Sequence, residues 1–361
     1  MKDDKTHVAL LPENDVSVAR SRDSCLELEP VDAVAGTLRA RLHVFHPVRP
    51  VLVVVLAILA LPGSARGGGS IRGFVLLPTQ GRLAAFDADA GKVLRTVSVP
   101  RGPGPVAASI DGSRVLVANT SLGIVTEIDG RTYRHVRTFA GFGRPVDLLF
   151  LPRAQIGLVR PRYAVVADAR GWVDVLDLVL GRIVRRVSLP HPFALALSDP
   201  QLWVSSAGRT TLTQLDVSKP IRTHIAARAE AGVVPTALAL DPSGIAIDTS
   251  SRNGTLVRVE AVSLARTVVG HLGGSVTQLL TGYQGVIWAA EADGRVLGLR
   301  ARNGRILHVM HVPRRSRLGI VGGWLAAAQG HSLRMLVLGT QRQGSTVSLP
   351  GDAGAFSFAV L

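Results

Sequence analysis

The side chains able to run acid–base or metal-assisted chemistry near neutral pH are imidazoles and carboxylates, and here they are scattered: 10 His and 26 Asp plus Glu in 361 residues. His191, His271 and Glu291 fall just beyond apolar segments, where loops are expected. An imidazole in such a place serves as a general base, and a carboxylate as its partner or as a metal ligand. Similar positions carry Arg101, Arg144, Arg315 and Arg317 beside Asp168 and Asp248, a set suited to an anionic ligand. Other spacings carry less. His308 and His311 are three apart in a strand-like segment, so they point to opposite faces and cannot share a metal. Residues 87–91, DADAG, have the opening acids of a calcium loop, but the fifth position is Gly and no closing Glu follows. No GxSxG, phosphate-loop, HExxH or complete dinucleotide motif occurs. The single cysteine, Cys25, excludes an internal disulfide framework and any multi-thiolate zinc or iron–sulfur site. On these grounds no cofactor is expected.

What must position such residues is a repeat. Segments at 106–110, 146–150, 193–197, 236–240, 276–280, 318–321 and 355–359 begin a recurring unit, at intervals of 40, 47, 43, 40, 42 and 37 residues. A period of about 42 is that of propeller blades, each a four-stranded sheet. In the second unit a Gly-Pro leads into the first strand, Asp111-Gly112 turns the chain, and 114–119, 123–129 and 135–139 supply the other three strands. The third strands, 81–87, 123–129, 171–177, 210–216, 254–260 and 294–300, share an apolar alternation of period two, which buries a face against the neighbouring blade. Asp87, Asp129, Asp177 and Asp216 close third strands, where Asp hydrogen-bonds the following turn. Residues 72–98 hold three strands with no first strand ahead of them, and 355–361 are a first strand with nothing after it. The expected fold is therefore an all-β, seven-bladed β-propeller over 72–361, with the carboxyl-terminal strand closing the amino-terminal blade and sealing an open edge.

The second unit, GPVAASIDGSRVLVANTSLGIVTEIDGRTYRHVRTFAGFGRP, resembles the YVTN-type propeller repeat: a Pro-led strand, a D-G turn, a strand ending in Ala-Asn and one ending in Ile-Asp. The likeness spans 72–361, strongest in units two and five and weakest in seven. Residues 85–91 also resemble the repeat of quinoprotein propellers. That repeat ends in a Trp four residues after its Gly, and here Arg95, Arg185 and His308 stand at the matching positions, so no quinone is implied. Trp203, Trp288 and Trp324 resemble the second strands of streptogramin-lyase-type propellers, enzymes that place His and Glu on one loop face. The histidines here do not align residue by residue with that motif, and none carries over as catalytic. Propellers serve many functions, so the fold by itself implies little chemistry.

Composition constrains the setting. Residues 51–61, VLVVVLAILAL, are too short to span a hydrocarbon core of about 30 Å. With Arg39, Arg41 and Arg49 before the run and Gly63-Ser64-Ala65 after it, residues 51–65 read as a secretory signal with its cleavage site. Residues 66–71 then form a flexible leader, and the destination is secreted or cell-envelope; an uncleaved signal would instead leave a membrane contact. Residues 1–50 read as an extension, of which 1–42 are mixed in charge and either disordered or upstream of a true start near Val44. Residues 66–361 hold 34 basic and 18 acidic side chains, with the arginines dispersed rather than run together. Only 4% of the chain is aromatic, too little for a nucleic-acid reader that stacks bases.

With blades in the expected order, the loops joining fourth to first strands and second to third strands emerge at one end of the ring. They bear Arg101, Arg144, His191, His271, Arg315, Arg317 and Asp352, and Asn119, Asp168, Ser206, Asp248, Glu291 and Gln329. The favoured expectation is a monomeric, non-catalytic module that binds an anionic small molecule, glycan or protein there. The alternative is a lyase or lactonase using His191, His271 and Glu291, and a structural scaffold also fits.

Overall fold

Short apolar-alternating segments, cut by Gly- and Asp-bearing turns, pair into seven antiparallel sheets of four strands each. The computed structural model describes residues 71–102, 104–151, 160–244, 246–340 and 342–360. The extension, the apolar run and the leader as far as residue 70 lie outside the described residues. Among these, the one helical element is a single 3-10 turn at Pro220–Arg222, and no helix is long and apolar enough to cross a membrane.

Each blade runs outward from the ring axis. Its first strand is innermost, as the hydrogen bonds between first strands of neighbouring blades show. Asp147 Oδ2 in blade three accepts from Leu195 N in blade four (2.8 Å), Gln278 Oε1 in blade six from Leu318 N in blade seven (2.9 Å), and Ser357 Oγ in blade one from Ala108 N in blade two (3.0 Å). The second and third strands are almost wholly buried, Ala164–Asp168 and Val173–Asp177 for example, because they lie between neighbouring sheets. The fourth strands, such as Lys92–Ser98, form the exposed rim.

Closure follows the expected route. Phe356–Val360 pairs antiparallel with Ile71–Leu77, from Ile71 opposite Val360 to Val75 opposite Phe356. Phe358 meets Phe86 edge-on at 5.8 Å, and Phe356 meets Phe358 at 5.5 Å. Gly73 makes this possible, since a Cβ there would lie 2.0 Å from the Phe86 ring.

A polar latch joins blade to blade as well. A side chain of one blade donates to the carbonyl just after the third strand of the next: Arg114 to Leu178 (3.4 Å), Gln214 to Ala261 (2.9 Å), Arg258 to Ala301, and Ser345 to Ala88 across the seam. These carbonyls sit at buried turns where strand pairing has ended, so a side-chain donor supplies the partner the ladder no longer provides.

Candidate functional site

Successive strands alternate in direction, which puts the second-to-third and fourth-to-first loops at one end of the ring. Gly123 and Phe142, one from each loop type of blade two, approach so closely that a Cβ on Gly123 would lie 2.2 Å from the Phe142 carbonyl oxygen. The short turns between first and second and between third and fourth strands lie at the other end. Asp129 Oδ1 there accepts from Arg131 N (3.0 Å) and Thr132 N (2.8 Å), and Asp177 Oδ1 from Val179 N (2.8 Å) and Leu180 N (2.9 Å). Asp87 and Asp216 bond Ala90 N and Ser218 N in the same way, both at 2.8 Å. Burial opposes ionisation of Asp129 and Asp177, but the turn N–H groups and nearby arginines hold both below the usual carboxylate range.

On the loop face, the last residue of a second strand ties down the loop arriving from the preceding blade. Asn119 donates to the carbonyls of Pro100 (3.3 Å) and Arg101 (2.6 Å) and accepts from Ser121 N and Leu122 N. Asp168, buried, accepts from the backbone N–H groups of Gly143, Arg144 (2.8 Å) and Arg170 (3.0 Å). Gln329 donates to the Arg314 carbonyl (2.7 Å). Glu291 is gripped by Arg295, Nε to Oε2 at 2.6 Å and Nη2 to Oε2 at 2.5 Å, while its Oε1 is buried without a partner among the described residues. Of the predicted acids, Asp168 is thus engaged in loop architecture and Glu291 in an ion pair within its own blade.

The predicted cations are not. The guanidinium groups of Arg101, Arg144, Arg315 and Arg317 are exposed, and none is ion-paired among the described residues. Arginines elsewhere contrast with them: Arg162 reaches Asp177 at 2.8 Å and Arg186 reaches Asp174 at 2.6 Å. Of the acids on the loop face, Asp168 is held by backbone N–H groups and Glu291 and Asp293 share Arg295, so Arg101, Arg144, Arg315 and Arg317 keep unpaired positive charge.

The histidines stand apart. His191, in the loop between blades three and four, adopts φ 44° with Nδ1 3.1 Å from the Ala169 carbonyl. His271 ends the fourth strand of blade five, its Nδ1 3.2 Å from Thr255 Oγ1. Neither partner is Glu291. Among the described residues no group of three or more His, Cys, Asp or Glu side chains is placed to hold a metal ion. Asp352 faces His331 at 3.6 Å near the ring seam.

One predicted position is corrected. Asp248 is not in a loop: it lies inside the second strand of blade five, Ala246–Ser251, at 1% exposure, and Ser251 ends that strand. The polar run DTSS looks like a turn, but Asp248 pairs in register with Arg258, whose side chain gives its carboxylate a buried partner (Nε to Oδ1, 3.3 Å). The same guanidinium also meets Asp241 and the Ala301 carbonyl. Burial first, then the Asp241 charge, push Asp248 up to about 7 against the pull of Arg258. Further buried acids belong with it. Glu127 binds Arg114 and, at 3.3 Å, Arg137; burial raises Asp174 against Arg186. Asp147, held between innermost strands, is pushed to about 6 by burial against the N–H groups of Leu195 and Leu148. The sequence signal for this group is a charged residue inside an apolar strand, as in IVTEID and WVDVLD.

Two clefts open on the loop face. One, of about 730 Å³ between blades six and seven, is lined by Gln278, Glu291, Asp293, Arg314, Arg315 and Arg317 among others. The second, of about 670 Å³ between blades four and five, is lined by Phe193, Val234, Pro235 and Arg252.

No family model matches this chain, and no curated protein matches its sequence. Solved structures share its fold. A functionally unknown protein from Desulfotomaculum acetoxidans DSM 771 is 12% identical with a TM-score of 0.66, over 80% of this chain and 98% of that one. Apo AztD from Citrobacter koseri is 14% identical with a TM-score of 0.62, over 81% and 98%. The computationally designed Ika8 protein is 14% identical with a TM-score of 0.59, over 80% and 91%. At such identities the likeness is one of fold alone.

Proposed function

We propose that this chain is an exported, monomeric, non-catalytic binding module whose loop face takes an anionic small molecule, glycan or protein. The observation that carries this reading is the asymmetry of the face. Its carboxylates Asp168 and Glu291 are occupied by backbone N–H groups and by Arg295, while Arg101, Arg144, Arg315 and Arg317 are exposed and unpaired among the described residues. Unpaired guanidinium groups on a rigid frame bind carboxylate, phosphate or sulfate strongly, and they raise the local concentration of anions. Export is supported by the apolar run at 51–61 and the small residues that follow it. The repeats are read as YVTN-type on the pattern of residues 104–145.

The test is a thermal-shift and binding screen of the full chain against metals, lactones and anions, at low and high salt. The expected result is stabilisation by anions that weakens with salt and is lost in an Arg101→Gln/Arg144→Gln/Arg315→Gln variant. Turnover of a lactone, or metal-dependent stabilisation lost in His271→Ala, would replace this reading with an enzymatic one.

A further inference from the structure

The cleft between blades six and seven has a chemical character of its own. Its outer wall is the loop 312–316, pinned twice: Ser316 Oγ donates to the Pro313 carbonyl (2.7 Å), and Gln329 donates to the Arg314 carbonyl (2.7 Å). Between these ties Arg315 takes φ 62°, a left-handed conformation that a non-glycine residue adopts at a cost of about 1 kcal/mol or more, and only where its surroundings impose it. The loop therefore presents Arg314 and Arg315 to the cleft from a fixed backbone, and Arg317 joins them from the start of the next strand.

Toward the ring axis the wall is Gln278. Its Oε1 accepts the Leu318 N–H, which fixes the carboxamide and leaves its NH2 as a donor with no acceptor among the described residues. Donors thus converge from two sides. The acids on the remaining wall cancel them only in part, because Glu291 and Asp293 share Arg295, at 2.5 and 3.4 Å, which leaves one negative charge against Arg314, Arg315 and Arg317. The cleft stays net cationic, which disfavours a zwitterion such as an amino acid. Asp293 is half exposed and can accept a hydroxyl at the rim.

We propose that this cleft binds an acidic sugar, with the oxyanion on Arg315, Arg317 and the Gln278 amide and a sugar hydroxyl on Asp293. A volume of about 730 Å³ lies within the range of pockets that enclose small ligands and has room for one or two sugar rings. This assignment rests on the anion-binding reading of the loop face and narrows it to one ligand class and one place.

The experiment is calorimetric titration of the full chain with D-glucuronate, D-glucose and inorganic phosphate. It is repeated in Arg315→Gln/Arg317→Gln, Asp293→Asn and Arg101→Gln/Arg144→Gln variants whose melting temperatures are first matched to the parent. Glucuronate is expected to bind, phosphate more weakly and glucose not at all. Loss of two charged contacts is expected to weaken glucuronate by roughly tenfold or more in Arg315→Gln/Arg317→Gln, and Asp293→Asn to weaken it by less. Glucose or phosphate binding as tightly as glucuronate overturns the acidic-sugar assignment. Loss of binding in Arg101→Gln/Arg144→Gln but not in Arg315→Gln/Arg317→Gln overturns the cleft and leaves the wider face standing. Failure of every anion to bind overturns both.

Discussion

Replacing Asp248 with Asn should remove a measurable slope from the pH dependence of stability. In the folded chain a single guanidinium, that of Arg258, serves two buried carboxylates, Asp248 and Asp241, and Asp248 Oδ2 has no partner among the described residues. The folded carboxyl titrates at about 7 against 3.8 for the free side chain. Between those values the folded state keeps a proton that the unfolded chain has released, so stability falls as pH rises through the window from about 4 to 7 and levels off above it. A separation of about three units, at about 1.4 kcal/mol each, sets a ceiling on the order of 4 kcal/mol. At 1% exposure there is little solvent to screen it. The nearby Asp241 carboxylate favours the neutral form of Asp248, and a carboxamide at the same place is neutral at every pH. The Asp248→Asn variant should therefore match the parent at acid pH and melt several degrees higher at alkaline pH, since 1 kcal/mol moves the midpoint of a large domain by about 2–4 °C. Thermal unfolding followed by circular dichroism across this window, parent minus variant, isolates the effect from that of Asp147. An unchanged slope, or a parent that gains stability over the variant as pH rises, would refute the argument.

Two further perturbations test the frame that holds the loop face. Deleting residues 356–361 strips the inner strand from blade one and exposes the edge of Ile71–Leu77, so the product should aggregate; a monomer of unchanged melting temperature on size-exclusion chromatography would show that the strand is dispensable. Asp168→Ala removes the acceptor from the partly buried N–H groups of Gly143 and Arg144, at about 1 kcal/mol each. The expected consequences are faster amide exchange at both residues and a lower melting temperature, while Asp168→Asn, which keeps an acceptor, loses less.

Much of this architecture is legible in the residues. The second to fourth strands of blade two fall on the segments that alternation predicts, Arg114–Asn119, Ile124–Asp129 and His135–Phe139. Asp87, Asp129, Asp177 and Asp216 hold their turns because a short carboxylate facing one or two free N–H groups is a local event that needs no distant partner. First strands are less sharp. In blades three to five they begin on Pro145, Pro192 and Pro235, and the residue after each proline bulges out of register, which displaces the apparent start by one. The third strand of blade seven, Ser332–Val337, has no closing Asp to mark it. The strand position of Asp248 is hidden in the sequence because the partner that lets it stay there, Arg258, is cross-strand rather than adjacent along the chain.

By itself, then, the sequence determined the blade count, the strand order and the closure of the ring by its last strand, since alternation, turn residues and repeat length act over a few residues at a time. Only the tertiary structure decided which charges are spoken for. Asp168, Glu291 and Asp248 meet their partners across loops and strands, and Arg101, Arg144 and Arg315 meet none among the described residues. Whether a charge is paired depends on distances of a few ångströms, set by strand register within a blade for Glu291 with Arg295 and Asp248 with Arg258, and by the approach of the loop from the preceding blade for Asp168.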